Sequence, residues 1–397
     1  MLRYGKSIAW ALLCAATLCS SVRAQPAAAY KGLFFLNDFS YLGDPAYDDW
    51  RLGETAKNIA VTDSLTADFG GQYRMRFHNE SNLRARPLSG VNDDFLLQRT
   101  RLFGRLKYQD LFSVYIEGLD AMEDANRQRP RGIEVNRLDM QNLLGQLKLL
   151  ETPAGSLSVR GGRMEMLFGN QRLISPLDWA NTRRTFDGVM GLWQSEMVDF
   201  AGFWTRPILP GQHLSPGPTG APFDKNFDAP SLDHEFFGGY GTAKVLDAAP
   251  IDFYYLRYAN YGASPFQNHT FGTRINYAKD GHLFELEGAY QFGEIGELNQ
   301  SAGFVTCGAG QALSDLAWSP TVWAYYDWAS GGTNGNNAYT FNQLFPLGHK
   351  YLGFMDIIAR QNIHDVNFLA TAKPHERVTL LAWFHTFWLA GANDALY

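Results

Sequence analysis

The side chains best able to do chemistry in this 397-residue sequence are arginines spaced two apart. Arg74 and Arg76 lie in TADFGGQYRMRFHN, and Arg99, Arg101 and Arg105 lie in FLLQRTRLFGRLKYQ. Further on, GGRMEMLFGNQRL supplies Arg163, Glu165 and Arg172, and ANTRRTFDG supplies Arg183, Arg184 and Asp187. A guanidinium is permanently charged, and its forked donors match both oxygens of a carboxylate. A row of them along a passage selects for anions. Acids among them (Glu117, Glu165, Glu285, Glu287) would pair some and keep the side chains ordered. The chemistry implied is recognition and passage of anions. The competing role for any one arginine is to brace a wall.

Residues two apart share a face on a β-strand, where side chains alternate sides. In TADFGGQYRMRFHN the even positions include Asp68, Gln72, Arg74, Arg76 and His78, and the odd ones Phe69, Tyr73, Met75 and Phe77. The division recurs. Arg99, Arg101, Arg105 and Lys107 oppose Leu96, Leu102, Leu106 and Tyr108, and Tyr115 and Glu117 oppose Phe112, Val114 and Ile116. Glu285, Glu287 and Gln291 oppose Phe284, Leu286, Tyr290 and Phe292, and Asp365 and Asn367 oppose Val366 and Phe368.

Strands of soluble sandwiches run about 5–6 residues. Several runs here hold their alternation for about 10, the length of a tilted membrane-crossing strand. Hydrocarbon offers a backbone amide no partner, so a spanning sheet must close on itself. An arginine in a lipid-facing row would cost about 2–4 kcal/mol at mid-bilayer, which turns the arginine rows toward a wet lumen and the rings toward lipid. The expected fold is all-β, a transmembrane antiparallel β-barrel, with about sixteen strands readable between residues 64 and 390. The least distinct lie near 134–150 and 302–312. Tight turns are expected at AKDG, AKPHE and GASPFQN, and long loops at 211–233 and 330–351. A secreted soluble β-protein is the alternative.

Arg3 and Lys6 precede the apolar run IAWALLCAATL, and Val22-Arg23-Ala24 ends on a small residue. Residues 1–24 therefore read as a secretory signal peptide. Residues 25–63 read as a periplasmic lead-in or an irregular first strand, and 64–397 as the barrel. Without the signal, Cys307 is the one cysteine left of three, which excludes a disulfide framework. The net charge of −6 gives no case for nucleic acid. There is no G-x-S-x-G elbow, no H-E-x-x-H and no phosphate-binding glycine loop, and the histidines are scattered. No enzyme activity, cofactor or metal is expected. An outer-membrane hydrolase would need Ser and His brought together across strands.

Two longer stretches, GGRMEMLFGNQRLISPLDWANTRRTFDGV (161–189) and FNQLFPLGHKYLGFMDIIARQNI (341–363), resemble the alginate export family of outer-membrane porins. Weaker similarity extends over most of the mature chain. The resemblance implies a monomeric barrel of about 18 antiparallel strands set in outer-membrane lipid. It also implies passage of an anionic uronate polysaccharide through an arginine-lined constriction, in company with a periplasmic scaffold. Carried over by motif, Arg163, Glu165, Arg172, Arg183, Arg184 and Asp187 belong to the first stretch and Arg360 to the second. Arg74, Arg76, Arg99 and Arg101 rest on alternation. The final WFHTFWLAGANDALY reads as a strand and the start of a loop, so the barrel is expected to lack its last hairpin; a complete sixteen-stranded porin is the alternative. The function expected is passive, anion-selective passage of an acidic polysaccharide or oligosaccharide, with a general small-solute uptake porin as runner-up.

Overall fold

Alternation of ring and charge fixes which way each strand faces, and the computed structural model shows the sheet that results. It describes residues 29–49, 51–84, 89–210 and 227–394. The expected signal at 1–24 and most of the loop at 211–233 lie outside them. The strands are β1 (Ile59–Thr62), β2 (Leu65–Glu80), β3 (Asp93–Tyr108), β4 (Phe112–Asp124), β5 (Asn136–Thr152) and β6 (Gly155–Met164). There follow β7 (Phe186–Gln194), β8 (Val198–Pro207), β9 (His234–Ala243), β10 (Ile251–Asn260), β11 (Phe266–Lys279) and β12 (His282–Ile295). The last are β13 (Leu298–Ala312), β14 (Thr321–Ala329), the two-residue pair β15 (Thr333–Asn334) and β16 (Asn337–Ala338), β17 (Ile363–His375) and β18 (Val378–Leu389).

Each wall strand pairs antiparallel with the next, and β14 pairs directly with β17. The β15–β16 pair sits in the loop between them, β16 lying parallel to the start of β13. The architecture is an antiparallel transmembrane β-barrel of eighteen strands, left open between β18 and the β1–β2 hairpin. Among the described residues fifteen of these, β2–β14, β17 and β18, form the wall between residues 64 and 390, where alternation led to an expectation of about sixteen, and the short β1 adds to the edge at β2. Both indistinct regions are strands: β5 carries bulges opposite β4 that blur its period, and β13 is rich in glycine and alanine.

One end of the barrel has mostly short turns and the other mostly long connections, the asymmetry expected of periplasmic and outer ends. Exceptions flank β13, a two-residue turn from β12 at the long end and residues 313–320 at the short one. At the short end, Asp280 and Gly281 join β11 to β12 with φ of 52° and 80°. That is the left-handed pair a two-residue hairpin needs, and the AKDG sequence supplies it.

The faces follow the pattern. On β2, Phe77 is 72% exposed and Tyr73 61%, whereas Asp68 is buried. On β3, Leu102 is 67% exposed between the buried Arg101 and Phe103. The oily row meets lipid and the charged row looks inward.

Three segments fold into the lumen. Residues 165–185, between β6 and β7, meet residues 339–362, between β14 and β17. Ile174 bridges Phe345 in parallel, Ser175 N–H donates to Phe345 O at 2.9 Å, and Leu347 N–H donates to Gln171 O at 2.9 Å. Leu173, Ile174, Phe341 and Phe345 are buried with wall rings that include Phe186, Phe203, Phe236 and Tyr258. These contacts make an inner partition whose backbone groups are satisfied by each other, as burial demands.

The third segment is the N-terminal one. Only its end, residues 59–62, is a short irregular first strand; the described residues before it lie inside the barrel. Residues 59–62 form a four-residue strand on β2, and the preceding residues pack against inward-facing side chains of β2, β3, β4 and β6.

Candidate functional site: a cationic lumen wall

Alternation on β2 and β3 places Arg74, Arg76, Arg99 and Arg101 on one inward patch, with Arg74 directly opposite Arg99. Like charges this close need a counterweight, and the in-folded 165–185 segment supplies it. Arg99 donates to Asp178 Oδ1 at 2.8 Å and to Gln72 Oε1 at 2.9 Å. Arg183 pairs with both Asp178 and Glu165. Arg101 pairs with Glu117 on β4 and reaches Glu165 at 3.3 Å. Glu117 is held in turn by the Tyr115 hydroxyl at 2.7 Å and the Asn142 amide at 3.1 Å. Arg99, Arg101, Glu117 and Glu165 are all buried. Such a cluster is tolerable because each carboxylate is both paired and hydrogen-bonded.

Arg74 and Arg76 differ from their neighbours. Among the described residues neither has a carboxylate within ion-pair distance. Arg74 donates to the carbonyl of Asp178 at 2.6 Å and to that of Ala180. Arg76 lies 4.3 Å from the centre of the Trp179 ring. The other face of Trp179 stacks on His349 at 3.6 Å, and His349 is paired with Asp356 at 3.0 Å. The β2 wall, the 165–185 segment and the 339–362 segment are thus joined through one indole.

Arg172 and Arg360 sit on the far side of the lumen. Arg172 bridges Glu285 at 2.6 Å and Glu287 at 2.9 Å on β12, under the Tyr351 ring at 4.2 Å. Arg360 holds Asp327 on β14 at 2.6 Å and donates to the Thr306 hydroxyl at 2.9 Å. Arg184 donates to the carbonyls of Ser175 and Pro346, at 3.2 and 3.3 Å, and so fastens the two halves of the partition. These three arginines anchor in-folded segments to the wall or to each other.

Arg163 and Asp187 require a correction. Arg163 stands opposite Leu143 and Asp187, and Asp187 opposite Arg206. That row continues into the exposed Val189 and Trp204, so it is the outward face. The reason is parity: Arg160 points inward on β6, and a residue three further on points outward. The outward position is tolerated at the loop end of β6, where Arg163 Nε donates to Asp187 Oδ1 at 2.9 Å and its Nη2 to Asp228 O at 2.8 Å. The two residues are not in the lumen wall.

Sequence reasoning missed Asp178, Trp179 and Asn181, because an in-folded loop has no period to read. Asn181 donates to the carbonyls of Gln98, Met122 and Glu134 at 2.9, 3.2 and 2.9 Å and so pins the segment to β3 and β4. The acid and amide in the run LDWAN were the available signal. Among the described residues no cluster of His, Cys, Asp and Glu could hold a metal ion.

No curated protein matches the chain. Solved barrels resemble it loosely. OccAB1 of Acinetobacter baumannii is 8% identical over 78% of this chain and 74% of its own, with a TM-score of 0.48. OccK8 (OprE) of Pseudomonas aeruginosa is 9% identical over 81% and 88%, at 0.47. OmpT of Vibrio cholerae is 11% identical over 82% and 88%, at 0.45. Likenesses this distant carry no argument. The profile described as Alginate export does, since it matches residues 65–397, the whole wall from the first residue of β2 onward. With the two-faced strands and the arginine-bearing lumen already described, that match places the chain in the bacterial outer membrane as a member of the alginate export family.

Proposed function

We propose that this barrel is a passive, anion-selective porin for an acidic polysaccharide or oligosaccharide and performs no covalent chemistry. One observation carries the reading. Around Asp178 and Glu165, five guanidiniums (Arg74, Arg76, Arg99, Arg101 and Arg183) stand beside three carboxylates (Glu117, Glu165 and Asp178), and the ion pairs go to Arg99, Arg101 and Arg183. The two uncompensated charges sit on Arg74 and Arg76, the second held against the Trp179 indole. Substrate carboxylates would exchange between these guanidiniums, and the paired acids keep any one site from holding too tightly. Conduction needs that balance of attraction and release. On this reading the barrel is a monomer in outer-membrane lipid that receives its cargo from a periplasmic scaffold.

The test is block of ionic current across planar bilayers. Oligouronates should block at lower concentration than neutral oligosaccharides of equal length, and Arg74→Ala with Arg76→Ala should remove most of that difference. Equal block by the neutral sugar would favour a general small-solute porin instead.

A further inference from the structure

The N-terminal segment, residues 29–58, has the contacts of a plug, and it lies on the path the proposed function requires. Its ring contacts are with inward side chains: Phe34 meets Phe103 at 5.9 Å, and Phe35 meets Tyr115 at 5.9 Å. The Asn37 carbonyl accepts from Arg105 at 2.7 Å, and Asn58 N–H donates to Asp68 at 2.7 Å. Asp68 and Arg105 lie near the short turns, whereas Arg101, over the Phe34 ring at 3.9 Å, lies further along toward the partition. The segment therefore occupies the short-turn half of the lumen, below the in-folded loops. It is built from 3-10 turns and, before β1, lends no strand to the wall, so it can leave without breaking a ladder.

Beneath it lies a charge that no carboxylate among the described residues balances. Arg160 on β6 is 6% exposed, and its Nε and Nη2 both donate to the neutral Gln146 Oε1, at 3.0 and 2.7 Å. The Phe35 ring covers its guanidinium at 4.7 Å. Among the described residues no carboxylate stands within ion-pair distance of it. The buried acid of the segment, Glu54, is turned away and accepts from Tyr41 at 2.8 Å and Tyr47 at 3.0 Å. A buried guanidinium without an anion is costly, and the cost is relieved when a carboxylate reaches it.

We propose that residues 29–58 are a lumenal plug, and that Arg160 beneath them is a carboxylate-binding subsite which opens when the plug leaves. The proposal rests on the anion-porin reading for the identity of the ligand, and on the contacts above for the plug.

The test uses the full chain in planar bilayers with two changes of opposite direction. Phe34→Ala, Phe35→Ala and Phe39→Ala together remove the ring anchors and should raise single-channel conductance severalfold. Phe35→Glu places a carboxylate over Arg160 and should pin the plug, lowering conductance below that of the native protein. In the triple-alanine background, adding Arg160→Gln should weaken block by a monomeric uronate. Conductance unchanged in the folded triple variant, or raised by Phe35→Glu, overturns the plug. Should the triple variant not fold, Phe35→Glu decides alone. Conductance that rises while the channel prefers cations keeps the plug and discards both the Arg160 subsite and the anion reading. Conductance that rises with uronate block indifferent to Arg160→Gln discards the subsite alone.

Discussion

Glu165 accepts hydrogen bonds from Arg101, Arg183, Gln141 and Asn142, while its own N–H donates to the Asn142 side chain at 2.9 Å. A buried carboxylate with that many donors fixes the spacing of the arginines around it. Replacing it by glutamine removes the charge and leaves two guanidiniums buried with less compensation. Glu165→Gln should therefore destabilise the barrel by about 3–5 kcal/mol, as loss of one partner from a buried pair generally does. Arg76→Ala removes a cation–ring contact and should cost about 1 kcal/mol or less. Urea unfolding in detergent micelles, followed by the mobility difference of folded and unfolded barrel, compares the two. Equal costs would mean that the acid does not organise the cluster. At this scale the difference between Arg76 and Arg101 was not in the sequence. Both obey the same alternation, and what separates them is register against β4, which gives Arg101 the carboxylate of Glu117, together with Glu165, which arrives from a loop.

The element that makes the site is the 165–185 segment, which carries Asp178, Trp179 and Asn181 against the wall. Asn181 holds it by donating to carbonyls at the outer ends of β3, β4 and the approach to β5. Asn181→Ala leaves those acceptors without their donor, at a cost of about 1–3 kcal/mol to the docked state. Open-channel current should become noisier and protease should cut between residues 165 and 185 faster than in the native protein; unchanged noise and cleavage would show that the loop is held elsewhere. The strands themselves were legible because lipid and water impose opposite demands on alternate residues, as on β2 from Phe69 to Phe77. Strand β6 shows the limit of that reading. Arg163 was grouped with Glu165 as though one row held both, yet β6 ends at Met164 and Glu165 already belongs to the inward-turning loop. The N-terminal segment was opaque for a related reason: its aromatics, Phe34, Phe35 and Phe39, show no two-residue period and bury themselves in the lumen rather than in lipid.

For the whole molecule, bulk charge misleads. The chain carries a net −6, yet the patch around Arg74 and Arg76 is locally positive. The acids are placed elsewhere: at the outer end of β2–β5, the single buried Arg84 is ringed by Asp93, Glu123 and Glu134. Position relative to the lumen, set by strand register, decides what an ion meets. The central claim is that the conducting path presents more guanidinium than carboxylate. It is tested most directly by the zero-current potential across a planar bilayer under a potassium chloride gradient. The native barrel should show a potential of the sign set by chloride, and Arg74→Ala with Arg76→Ala should move it toward the potassium limit, lowering the anion-to-cation permeability ratio by roughly twofold or more. A native channel that prefers potassium, or a potential that the two substitutions leave unmoved, would contradict it.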